Sequence, residues 1–112
     1  MTDQEQQEMK ARLIDLGFWG ATELGDPTAN NHDASTLNLR LEAKLAKDVF
    51  LVSTPTTSHS LTRQVMVFHG NHIYPIATAD NYPEAICLAA LALPEFLKQH
   101  PEYAAVDLKP GP

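Results

Sequence analysis

Residues 64–69 and 72–77 flank the dipeptide Gly70-Asn71, and a two-residue connection with glycine first is what a type II′ hairpin turn requires. That register sets His69 opposite His72, Phe68 opposite Ile73, Val67 opposite Tyr74, Met66 opposite Pro75 and Val65 opposite Ile76. One face of the hairpin then carries His69, Val67, Val65, His72, Tyr74 and Ile76, and the other carries Phe68, Met66, Ile73 and Pro75. Both faces are apolar, so both need cover. Bonded and non-bonded pairs alternate along a hairpin, which puts Pro75 at a non-bonded pair with its missing N–H turned outward. The strand 72–77 is therefore expected at a sheet edge, or bulged.

The cover has to come from helices. Thr2 and Glu5 form a Thr-x-x-Glu capping box, Met9, Leu13 and Leu16 recur at helical spacing, and Gly17 is a natural stop. This predicts an amphipathic helix over 3–16. A second helix is predicted from Asn81, with Pro83 and Glu84 in its first turn. Residues 85–93 are nine apolar residues in succession, as in a helix buried nearly all round and far shorter than the ~20 residues that cross a bilayer. Pro94 should break or kink it, leaving 95–99 as a short final turn.

Between these elements the sequence is less regular. Residues 18–35 show neither period and contain Gly20, Gly25 and Pro27, which predicts a long loop. Leu37, Leu39, Leu41, Ala43 and Leu45 alternate with polar residues. That period favours a strand over 36–45, although Leu, Arg, Glu and Lys are also good helix formers. Residues 49–52 read as a further strand, 54–61 as a Ser/Thr/Pro loop, and 101–112 as a loose tail. The expected fold is α+β: an antiparallel meander of three to four strands flanked by an N-terminal and a C-terminal helix, in the manner of an α-β-α sandwich. At 112 residues the chain suits one domain, over 1–100.

Charge and cysteine usage exclude several functions. The formal net charge is −6, and residues 1–35 hold seven acids against Lys10 and Arg12. A phosphate-tracking groove needs clustered Lys and Arg, so direct nucleic-acid binding is not expected. Cys87 is the single cysteine, which leaves no internal disulfide and no cysteine-built zinc site. The polar, acidic first residues do not resemble a signal peptide, so a soluble cytoplasmic protein is expected.

The segment His72-Ile-Tyr-Pro-Ile-Ala-Thr-Ala-Asp-Asn-Tyr-Pro-Glu-Ala-Ile-Cys-Leu-Ala-Ala-Leu-Ala92, a last strand turning into an Ala-Ile-Cys-x-Ala-Ala-Leu helix, resembles the phage ABA sandwich domain family. The resemblance covers roughly residues 72–93. It implies an α-β-α sandwich encoded by a phage, prophage or other mobile element, with no catalytic residues.

Among candidate chemistries, His69 and His72 share one hairpin face and could share a metal ion, with a third ligand from His32, His59 or an acid. The more ordinary expectation is two solvent-facing residues beside a turn and no bound metal or cofactor. Cys87 is expected in the core as a small hydrophobe. The hydroxyls around His59 lack a Gly-x-Ser-x-Gly elbow. Phe18 and Trp19 could close the first helix against the sheet, or stand exposed as an aromatic anchor. Glu23, Asp26 and Asp33 could present an acidic surface to a basic groove on a partner.

These readings lead to a non-catalytic protein that binds another protein, with Phe18, Trp19, Glu23, Asp26, Asp33, His69, His72 and Tyr74 as interface candidates. With the resemblance, the expectation narrows to an anti-CRISPR-like inhibitor of a host defence protein, acting in the bacterial cytoplasm. The alternatives are a small metal-dependent or hydrolytic enzyme using His69 and His72, and a self-associating structural accessory protein. A helix per face cannot cover a four-stranded sheet, so some apolar surface should remain for a partner or a second copy.

Overall fold

The structure, a computed structural model, describes residues 2–57 and 62–105. Its elements are α1 (Asp3–Asp15), α2 (Asn31–Glu42), β1 (Phe50–Pro55), β2 (Arg63–His69), β3 (His72–Ala79), α3 (Tyr82–Gln99) and a short 3-10 turn, Pro101–Tyr103. The fold is α+β, and in sequence order helices flank a three-stranded antiparallel sheet of order β1-β2-β3.

The first helix starts and stops as its sequence requires. Thr2 and Glu5 form the reciprocal capping box. At the far end Gly17 has φ of 81°, its N–H donates to Ile14 O, and the Phe18 N–H donates to Leu13 O. Those two bonds make a Schellman motif, whose geometry turns the residue after the glycine back onto the helix. Leu13 and Phe18 are both buried in the core as a result.

Residues 36–45, expected as a strand, belong mostly to α2. The Asn30 side chain accepts from the His32 and Asp33 N–H groups and starts the helix inside the expected 18–35 loop. Ala34, Leu37 and Leu41 then form the buried stripe, whereas Leu39 is 66% exposed. The period-two alternation ran across both faces of a helix, and its true apolar stripe begins at Ala34, before the alternation does.

The hairpin turns where expected. Gly70 has φ of 58°, and the pairs His69–His72, Phe68–Ile73, Val67–Tyr74 and Met66–Pro75 form. The register then slips: Val65 pairs with Ala77 rather than Ile76, across a bulge between Val65 and Met66. The extra residue lets Ile76 and Ala77 both pack against the core, and it sits beside Pro75, whose ring cannot donate to a ladder. β3 is an edge strand.

The third helix runs through Pro94 without interruption to Gln99, so no break occurs there. It packs on β2 and β3 and is flanked by α1 and α2, which accounts for its apolar run. Small residues (Ala85, Ala89, Ala90) let the layers approach closely. Leu51, Val65 and Val67 are the sheet's contribution to the same core. The molecule measures 43 × 37 × 20 Å, and a thickness of 20 Å admits two layers of about 10 Å each. All the helices therefore lie over one face of the sheet.

Residues 101–105 are not a loose tail. Tyr103 and Ala104 are buried, Ala46 N–H donates to Tyr103 O at 2.7 Å, and Ala105 N–H donates to Lys44 O at 2.9 Å. The last seven positions of the expected tail, 106–112, lie outside the described residues.

Candidate functional site

Phe18 and Trp19 are each 3% exposed, so they close the core and are not a surface anchor. The Schellman turn directs Phe18 inward, and Arg40 from α2 seals Trp19 from outside. The Arg40 guanidinium lies 4.6 Å from the Trp19 ring centroid, a cation–π contact, and it donates to Phe18 O at 3.0 Å. It also grips Glu23 in a two-pronged ion pair. Arg40 first, and then the Gly20 N–H at 2.9 Å, hold the Glu23 carboxyl down to about 2. The Arg40 pKa is raised by the same bond.

Asp26 and Asp33 are likewise committed within the chain. Asp26 accepts from Thr28 N–H at 2.9 Å, and Asp33 accepts from Asp26 N–H at 2.9 Å. Lys10 of α1 donates to Gly25 O at 3.0 Å. The acidic segment is thus built into the molecule by its own polar groups, and three of its acids serve that construction. The sequence carries a signal for this in Asn30, a helix cap, and in the Asp-Pro-Thr turn at 26–28.

His69 and His72 are cross-strand neighbours, with different surroundings. His69 lies 4.9 Å from Tyr103, and His72 lies 6.2 Å from Tyr74, ring centroid to centroid. Tyr74, Phe96, His100 and Tyr103 complete an aromatic cluster, in which Tyr74 and Tyr103 share a hydroxyl–hydroxyl bond of 3.3 Å. That bond, followed by desolvation, pushes the Tyr103 phenol up to about 12. Tyr74 is half-buried here, engaged with the C-terminal segment. Among the described residues no group of three or more His, Cys, Asp or Glu is placed to hold a metal ion. His32 is exposed on α2, and His59 lies outside the described residues.

Cys87 is buried, its Sγ 3.4 Å from Pro27 O. Burial first, then the charges of Asp26 and Glu84, push its thiol up to about 12. A neutral, enclosed thiol is a poor nucleophile. In the hydroxyl-rich segment Thr54 and Pro55 extend β1, and 58–61 lie outside the described residues.

A surface that none of these groups uses is the sheet's outer face. The pairing of the three strands sets Phe50, Phe68 and Ile73 in one row, and Val52, Met66 and Pro75 in the next. Thr54, Gln64 and Thr78 follow. Phe50 is 62% and Ile73 55% exposed, and no position in these rows is charged. The hairpin showed part of this face in its sequence, and only the placement of the helices revealed that none of them covers it among the described residues. Among the described residues no helix is long and apolar enough to cross a membrane. No protein-family model, curated protein or solved structure matches the chain.

Proposed function

We propose that this is a non-catalytic binding protein that docks a protein partner through the outer face of its sheet. The observation that carries the reading is the apolar double row that no described helix covers, with Phe50 and Ile73 more than half exposed. Monomeric proteins rarely leave apolar patches of more than a few hundred Å² without a use for them. Two further observations agree with a non-catalytic role. The cysteine thiol is held neutral and enclosed, and the His69 ring lies 4.9 Å from that of a buried tyrosine, tilted 47° to it.

The narrower reading, an inhibitor of a host defence protein of the anti-CRISPR kind acting in the cytoplasm of a bacterium, rests on the resemblance of residues 72–93 to the phage domain. The acidic segment enters that reading only weakly, because Glu23, Asp26 and Asp33 are bonded within the chain. The test is capture from bacterial lysate by the native protein and by Ile73→Lys. A protein retained by the first and lost by the second supports the reading. Equal retention by both moves the site off the sheet.

A further inference from the structure

Resting on the reading that the outer sheet face is a docking surface, we propose that its occupant is a second copy of this chain, set face to face to make a four-layer dimer with a sheet-on-sheet centre.

The first argument is charge. The chain carries a formal −6, yet the three rows of the outer face contain no ionisable side chain. A partner recognised by charge would find nothing there to pair with, and any charge it brought would be buried unpaired, which disfavours binding. An anionic lipid surface would meet no Lys or Arg in those rows. An identical face satisfies the requirement by construction: neither copy brings a charge into the contact, and every apolar contact occurs twice.

The second argument is shape. The two rows differ in bulk, with Phe50, Phe68 and Ile73 in one and Val52, Met66 and Pro75 in the other. A two-fold axis running across the strands between the rows lays each row on the other row of the second copy. Large side chains then meet smaller ones, and facing sheets can settle at the usual separation of about 10 Å.

The third argument is area. Three strands about 4.8 Å apart and a run of about six residues outline a patch of roughly 14 by 20 Å. Side-chain relief brings this to roughly 500 Å² per copy, about 1,000 Å² for the pair, which is the lower bound for a specific interface. The dimer is accordingly expected to be reversible, with Kd in the micromolar range.

Sedimentation velocity of the native chain between about 1 and 500 μM tests this, a range chosen to span that affinity. The expected result is a monomer that converts to a dimer in the micromolar range and is not dissociated by 1 M salt, because no ion pair holds the contact and salt screens the repulsion between two acidic subunits. Phe50→Asp and Ile73→Lys, both at exposed positions, should each remain folded by thermal melt and weaken the dimer at least ~30-fold, the effect of a buried unpaired charge worth ~2 kcal/mol. Phe50→Leu should keep it. A native chain still monomeric at the top of that range overturns the inference, and so does a dimer that both charged variants leave intact, as pairing through a strand edge would. If the native chain is monomeric but a lysate protein is captured and lost with Ile73→Lys, the inference fails and the docking reading stands. If nothing depends on the face, both fail.

Discussion

Arg40 and Glu23 are seventeen residues apart in sequence, and together they hold the acidic segment over Trp19. The linkage has a definite sign. The Glu23 carboxyl is held down to about 2 from an ordinary value of 4.5, so its contribution to stability is fully present above pH 4.5. That contribution is lost as pH falls from about 4.5 toward 2. Glu23→Gln should therefore lower Tm at pH 7 and flatten its fall between pH 5 and 2.5, as read by thermal melts across that window. Parallel curves for the two proteins would mean that the pair is not coupled to folding. Gly25 is a second sensitive position. It has φ of 96°, and a Cβ there would lie 2.6 Å from Asp33 Oδ2. Gly25→Ala should thus cost about 2 kcal/mol, by left-handed strain and by pushing aside the carboxylate that accepts from Asp26. Chemical denaturation measures it, and a neutral result would show that the turn relaxes freely.

The elements that the sequence made legible are those whose signals are local. The capping box of α1, the glycine stop at Gly17, the cap at Asn81 and the turn at Gly70 each involve residues within a few positions of one another, and each forms as expected. The turn can be tested directly. Gly70→Val places a β-branched side chain at φ of 58° with open space around it, so the cost, about 1–2 kcal/mol, is backbone strain alone. A thermal melt equal to that of the native protein would refute the turn geometry. The helix α2 was not legible because its alternating leucines satisfy two periods at once. A strand would have put Leu37, Leu39 and Leu41 on one face. The helix buries Leu37 and Leu41 with Ala34 and leaves Leu39 in solvent. The contact of α2 with α3 decides between them, and no local signal carries that information. Pro94 shows the same limit. Its ring disfavours a helix interior by about 3 kcal/mol, yet α3, buried on both sides, continues through it.

At the scale of the molecule, the helices crowd one face of the sheet and the C-terminal segment locks that arrangement at its rim. Tyr103 is buried against Tyr74 and Phe96, its carbonyl accepts from the Ala46 N–H, and the Ala105 N–H donates to Lys44 O. A chain ending at His100 should lose about 2–3 kcal/mol, the scale of one fully buried large side chain, with a matching drop in denaturation midpoint. An unchanged midpoint would mean that the segment merely rests on the surface. The same packing decided the candidate site. Phe18, Trp19 and the acids were visible in the sequence as residues of interest, but the enclosure of Trp19 and Glu23 depended on Arg40, which also reaches the Phe18 carbonyl across twenty-two positions. The sequence by itself determined where α1 and α3 begin, where the hairpin turns and that α3 is enclosed, because caps, turns and long apolar runs act over one or two turns of chain. Only the tertiary structure decided that 31–42 is a helix, that Trp19 and Tyr103 are interior, and that no described helix covers the outer sheet face. Those outcomes depend on which surfaces meet across the whole chain, and surfaces brought together from distant positions compete for burial only once the chain has folded.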